Sequence, residues 1–214
     1  MYFIPGIEDQ FVIWRWRKPN YVFFLFFLLF VYGCGGPTKP VMQFYEQISG
    51  QSYCRIALLP FVNETSYLEG DTIIYKIFES ELINSDNFIV SQEGDVHKVY
   101  RQLAIYPGKN PNHEQLRIIG DRLDADLLVE GKIVEMSQGP NIRAGFPVLG
   151  INLRVYDARK GTTIWTTYYK RQGNQYRKVM HFGLVNTINA LAQRMSNDII
   201  NAWFEAGLQK CVDS

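Results

Sequence analysis

The chain has 214 residues, 22 basic and 21 acidic side chains, a formal charge of +1, and 47% hydrophobic residues. That balance excludes a sequence-independent nucleic-acid binder, which needs a basic face to displace phosphate counterions. The length and apolar content suffice for one domain with a proper core.

The first organised feature is Tyr21 to Tyr32, twelve uninterrupted apolar or aromatic residues preceded by Arg15, Arg17 and Lys18 and followed by Gly33-Cys34. A basic segment, an apolar stretch of ~7–15 residues and a small residue before the cut mark a secretory signal. A bilayer-spanning helix needs roughly 20 apolar residues, and Pro19-Asn20 and the Gly33-to-Pro37 stretch end this run too early. Val31-Tyr32-Gly33-Cys34 reads as a bacterial lipoprotein signal, with residues 1–33 removed and Cys34 lipidated. One acyl chain holds a protein only marginally, whereas several chains on one residue make a durable anchor. Similarity to bacterial lipoproteins in general adds an address. An aspartate after the lipidated cysteine would favour the inner membrane, so Gly35 points to the periplasmic face of the outer membrane.

Removing Met1 to Gly33 takes away three basic and two acidic residues and leaves 19 of each sign in 181 residues. Cys54 and Cys211 then form an even pair in an oxidising compartment, flanking the expected domain at its start and end. Sequence cannot place their Cα atoms within bridging range, so a disulfide and two separate thiols both stay open.

Residues 34–54 read as the lipidated cysteine and a tether. Gly35-Gly36-Pro37-Thr38-Lys39-Pro40 suits neither a helix nor a strand interior, and Val41 to Tyr53 is ambiguous. Arg55 to Phe61 is a short apolar run ended by a proline, consistent with a buried strand. Asp71 is placed to cap a helix reaching about Ser85, with Ile74, Ile77, Phe78 and Leu82 on one face. Phe88-Ile89-Val90 is a second strand, and Ser91 is placed to cap a helix carrying Val96, Val99, Tyr100 and Leu103. Asn110-Pro111 reads as the cap and first residue of a third helix bearing Leu116, Ile119 and Leu123.

From Leu127 the period becomes two. Leu127 to Met136, Gly150 to Asp157 and Thr162 to Tyr169 read as strands, with Arg159-Lys160-Gly161 as a tight hairpin connection. A closing helix is expected from about Tyr176 to Ala206, stopped by Gly207, and residues 208–214 read as a tail. The fold expected over 55–207 is α+β: a mixed sheet of about five strands with helices packed against it and a long C-terminal helix.

Three motifs carry a family resemblance. They are Ile56-Ala57-Leu58-Leu59-Pro60-Phe61-Val62-Asn63, Ala125-Asp126-Leu127-Leu128-Val129-Glu130-Gly131-Lys132-Ile133, and Leu153-Arg154-Val155-Tyr156-Asp157-Ala158 followed by Gly161 and Trp165. In order and spacing the region resembles the periplasmic domain shared by CsgG-type secretion-channel lipoproteins, LpoB-type activators of cell-wall synthases and the amino-terminal domain of TolB. The resemblance implies an envelope lipoprotein with a protein partner or self-association. Beside it, the residues carry their own physical expectations. Asp157 makes a side-chain turn bond and Gly161 takes the strained backbone position. Gly131 marks a bulge or a close approach of another backbone, and Trp165 fills the core. Asn63-Glu64-Thr65 is a polar turn rather than a glycosylation acceptor.

The sequence offers no convincing chemistry, and the chain reads as a non-enzyme without cofactor or metal. His113-Glu114 lacks the second histidine of a zinc helix, and there is no C-x-x-C, phosphate-binding glycine loop or G-x-S-x-G elbow. His97, His113 and His181 fall among helical residues. Asp121, Asp124 and Asp126 surround a helix end. The candidate partner contact is Tyr168, Tyr169 and Arg171 with Tyr176 and Arg177, because aromatic and arginine side chains combine apolar area with directional hydrogen bonds.

Two alternatives to a membrane-tethered interaction or assembly module meet geometric obstacles. A CsgG-like channel needs spanning strands of ~9–11 residues, and the insertion Ser137 to Leu149, with Pro140 and Pro147, cannot hold a full-length hairpin. An LpoB-like activator must reach an inner-membrane synthase. Residues 35–54 extend at most ~70 Å and average on the order of 25 Å when flexible.

Overall fold

The computed structural model describes residues 39–48, 53–106, 108–139, 145–180, 182–209 and 211. The signal segment and Cys34 lie outside the described residues. Where the period is two, the chain forms three long strands: β5 (Leu127–Ser137), β6 (Val148–Asp157) and β7 (Thr162–Gln172). They pair antiparallel, with Leu127 opposite Asp157 and Asp157 opposite Thr162. The β6–β7 turn is built as its residues dictate. Arg159 and Lys160 donate backbone N–H bonds to Asp157 Oδ1 at 2.9 and 3.0 Å. Gly161 has φ +69, and a Cβ there would lie 2.8 Å from the His113 carbonyl oxygen.

Four shorter strands, β1 (Val41–Phe44), β2 (Arg55–Leu58), β3 (Val62–Asn63) and β4 (Ile89–Val90), complete a seven-stranded sheet of order β1-β7-β6-β5-β2-β4, with β3 also pairing with β5. β2 runs parallel to β5 and to β4, and β3 lies parallel to β5 further along. The sheet therefore exceeds the expected five strands by two. β3 resumes pairing after Pro60, and β1 comes from the stretch counted with the tether, pairing antiparallel with β7 as Val41 faces Tyr168. The polar turn after β3 is present, since Asn63 Oδ1 accepts from Thr65 N–H at 2.9 Å.

Among the described residues the helices are α1 (Gly70–Asn84), α2 (Glu93–Gln102), α3 (His113–Leu123) and α4 (Ile188–Glu205). Their starts differ from expectation. α1 begins after Glu69 in a left-handed conformation with no side-chain cap, so Asp71 sits inside the first turn. α2 begins after Gln92 rather than Ser91, also without a side-chain cap. In α3 the cap is Asn112, which exchanges a capping box with Gln115, two residues beyond Asn110. α4 starts twelve residues later than Tyr176. Tyr176 closes a short 3₁₀ turn (Gly173–Tyr176), Met180 and Gly183 take positive φ, and Thr187 caps the helix through its bond to Ala190 N–H.

α1 and α4 cover one face of the sheet around Trp165, Trp203, Phe78, Ile151 and Leu153. Trp165 is fully buried and meets Trp203 edge-on at 5.7 Å. Gly131 admits the Phe61 ring, a side chain rather than a backbone, to the space a Cβ would need. α2 and α3 pack on the opposite face, over Ala57, Leu59, Leu128, Tyr156 and Ala158. That second layer reaches β2, the start of β5 and the end of β6 only.

Candidate interaction surface

Because side chains alternate along a strand, the part of the second face that α2 and α3 leave open has a composition set by parity. Across four strands one row runs Lys132, Asn152, Tyr168, Val41, and the next runs Glu130, Arg154, Thr166, Gln43. Val41 is 66% and Tyr168 44% exposed, and Tyr45 follows just past the strand. Ion pairs flank the rows, Lys132 with Glu64 at 2.9 Å and Lys170 with Glu135 at 2.5 Å. The boundary with the covered half is a polar chain. Tyr156 donates to Glu130 at 2.5 Å, and Arg154 lies 3.5 Å from the Tyr156 hydroxyl. Burial, helped by Glu130, holds the Tyr156 phenol well above its ordinary pKa, so it serves as a donor. Beyond Val41, where β1 begins, β7 keeps β6 alone as its sheet partner and runs along a groove of about 480 Å³ lined by Lys39, Tyr168, Lys170, Gln172 and Gln175.

The proposed contact residues divide between two environments. Tyr168 and Arg177 are exposed, whereas Tyr169, Arg171 and Tyr176 are buried. The five residues therefore do not form one surface. The inward three build a cluster under α4. The Arg171 guanidinium lies 5.8 Å from the Tyr169 ring centre and 4.7 Å from that of Tyr176, and Arg194 lies 5.1 Å from the latter. Both phenols donate to Asp198 Oδ2, Tyr176 at 2.6 Å and Tyr169 at 2.9 Å. Burial pushes the Tyr169 phenol up to about 12 and that of Tyr176 further, with the Asp198 carboxylate adding to both. Asp198 and Arg194 went unrecognised in the sequence. An acid between Met195 and Ile199 on the apolar side of a helix is the signal that marks Asp198.

Cys54 and Cys211 are disulfide-bonded, with Cα atoms 5.2 Å apart. Leu208 is buried as well, so the tail is tied to the start of β2. Cys54 and Arg55 N–H both donate to Asp126 Oδ2, which gives that acid a structural role. A second groove, of about 810 Å³, includes Arg55, Asp95, Lys98 and Arg122 in its wall. Arg55 pairs with Asp124, and Arg122 bonds Gln102. His97 and His113 are exposed on helices, while His181 lies outside the described residues. Among the described residues no group of three or more His, Cys, Asp or Glu is arranged to hold a metal.

No protein-family model matches the sequence, and no curated protein matches it. Solved structures resemble the chain in part or whole. The PelC dodecamer from Paraburkholderia phytofirmans matches with TM-score 0.50 and 11% identity over 80% of this chain and 99% of that one. Lipoprotein GNA1162 from Neisseria meningitidis matches at TM-score 0.46 and 14% identity, covering 71% of this chain and 99% of that one. LpoB from Escherichia coli matches at TM-score 0.43 and 12% identity, covering 80% and 84%. At 11% identity the PelC match is a likeness of fold alone.

Proposed function

We propose that the protein is a non-catalytic assembly module of the bacterial envelope, anchored through lipidated Cys34 at the periplasmic face of the outer membrane, and that its working contact is with further copies of itself. The observation that carries this reading is the uncovered half of the sheet. Val41, Tyr168 and Tyr45 stand exposed on a polar-and-aromatic face, at an edge strand that begins seven residues after Cys34. Aromatic groups ringed by charged pairs suit a specific protein contact. The dodecameric state of PelC, whose chain matches this fold almost end to end, supports repeated self-contact. A bridged Cys54–Cys211 pair fits an oxidising compartment. The CsgG-like channel is disfavoured because β5, β6 and β7 are already committed to a sheet covered by α1 and α4.

The test is photocrosslinking in intact cells with a photoreactive residue at position 168. The expected product is a ladder of adducts of the protein with itself, abolished by Arg154→Glu. Adducts only with other proteins, or none, would refute self-assembly through this face. Palmitate-analogue labelling of the wild type and of Cys34→Ala tests the anchor separately.

A further inference from the structure

The 3₁₀ turn after β7 leads into a protruding loop that is both ordered by hydrogen bonds and apolar at its tip. Gly173 and Val185 close its base, with Gly173 N–H bonded to the Pro147 carbonyl at 2.9 Å and Val185 N–H to the Gly173 carbonyl at 3.2 Å. Nearer the tip, Lys178 N–H donates to the Phe182 carbonyl at 2.8 Å and Phe182 N–H to the Val179 carbonyl at 2.9 Å. This framework holds Val179, Met180 and Phe182 outward, 66%, 77% and 75% exposed. Arg177 and Lys178, also exposed, stand immediately before them. An apolar cluster this prominent on a small protein marks a contact.

The topology says what it contacts. The loop leaves the sheet at the end of β7, where β7 meets the start of β6 at Val148 and β6 meets the end of β5 at Ser137. β1 begins at this same end, since Val41 pairs with Tyr168. Leu68, also exposed, sits just before Gly70, which packs against Met136 near that end of β5. Lys39 is five positions along the chain from Cys34, a reach of at most ~18 Å. A lipid on Cys34 therefore holds this end of the sheet, and not the β6–β7 hairpin, against the bilayer. Basic residues behind an apolar tip complement anionic headgroups above acyl chains.

We propose that Val179, Met180 and Phe182 enter the headgroup and acyl boundary of an anionic phospholipid leaflet, with Arg177 and Lys178 at the phosphates, as a second membrane attachment beside the lipid. This rests on the envelope-anchor reading and adds an orientation to it: the β5–β6–β7 strands stand away from the membrane with the 159–161 turn distal.

The signal-cleaved chain keeps Trp165 and Trp203, both fully buried, so an added tryptophan reports its own surroundings. Phe182→Trp and Val179→Trp proteins, purified from membranes, are placed in phosphatidylethanolamine/phosphatidylglycerol vesicles with and without brominated acyl chains. Each tip tryptophan is expected to shift to the blue and to lose about half of its added emission to bromine, the depth of an interfacial insertion. Lys160→Trp, roughly 33 Å away along β7, is expected to keep its emission. Equal quenching at position 160, a blue shift without quenching, or no change at either tip position would overturn the proposal. Mass spectrometry of the same preparation reads the acyl mass on Cys34. Quenching without that mass upholds the tip and removes only the lipid anchor; no quenching with the mass present removes the tip and leaves the anchor.

Discussion

The hydroxyl of Tyr176 donates a 2.6 Å hydrogen bond to Asp198 while the Arg171 guanidinium lies 4.7 Å from the centre of its ring. That relationship joins the end of β7, the following 3₁₀ turn and α4, and it fixes where the apolar loop leaves the domain. Asp198 also accepts from Tyr169, so its removal leaves the two buried phenols only the 3.5 Å contact between their own hydroxyls, and at least one donor loses its partner. Asp198→Ala is expected to destabilise the fold by about 1–3 kcal/mol, the penalty for buried donors left without partners. Asp198→Asn, which keeps an acceptor oxygen, should lose less. Urea midpoints of the three proteins measure the difference, and equal midpoints would show that the bonds contribute nothing net.

The same phenols predict an alkaline limit. Burial raises Tyr169 to about 12 and Tyr176 higher, above the unfolded value near 10. A raised folded-state pKa means the native state holds its protons more tightly at high pH. The stability is therefore full below about pH 10 and is lost as the pH rises from there through about 12. Each such phenol contributes a slope of about 1.4 kcal/mol per pH unit in that window. Tyrosinate absorbance, followed alongside denaturation midpoints across the window, checks it. Ionisation of Tyr169 or Tyr176 near pH 10 in the folded protein, read as the absorbance difference from Tyr169→Phe and Tyr176→Phe proteins, would contradict the buried geometry.

Parity explains which part of this site was legible. Tyr169 and Arg171 share the alternation of Trp165 and Thr167, and all four are buried, whereas Tyr168 belongs to the opposite set. Reading Tyr168 to Arg177 as one patch used composition and ignored period two. The long strands and the 159–161 turn were legible because alternation and turn chemistry agree there. β1 was hidden by its setting, since Val41-Met42-Gln43-Phe44 follows a Gly/Pro stretch and gains its identity only from β7. The start of α4 was hidden for the converse reason. The apolar residues 176–184 imitate a helical face, but Gly183 has φ +82 and its missing Cβ leaves room for the Tyr176 carbonyl oxygen.

The disulfide supplies a third prediction. Cys54 and Cys211 are separated by 157 residues, so their bond shortens nearly the whole unfolded domain into a loop. Replacing both with serine should lower stability by about 2–5 kcal/mol, mostly through the denatured ensemble. The native contacts of Leu208 and the Asp126 bonds at the start of β2 are independent of the sulfur atoms, so the fold itself should persist. Circular dichroism and thermal melting of the double variant test this, and a melting temperature unchanged by reduction of the wild type would contradict it.

Gly131 gives the sharpest packing test. A Cβ at this position would lie 2.3 Å from Phe61 Cε1 and 2.4 Å from Cζ, far inside van der Waals contact. Phe61 cannot swing clear, because its ring is held edge-on to Tyr75 at 5.8 Å and lies 6.1 Å from Phe78. Gly131→Ala is thus an overpacking change in the middle of β5, with an expected cost of about 1–3 kcal/mol. The cause is separable from β-propensity, since alanine is tolerated in strands where space exists. Phe61→Leu combined with Gly131→Ala should therefore be less destabilised than the sum of the two single changes. Additive losses in that double-mutant cycle would show that the glycine serves the backbone of β5 and not the passage of the Phe61 ring.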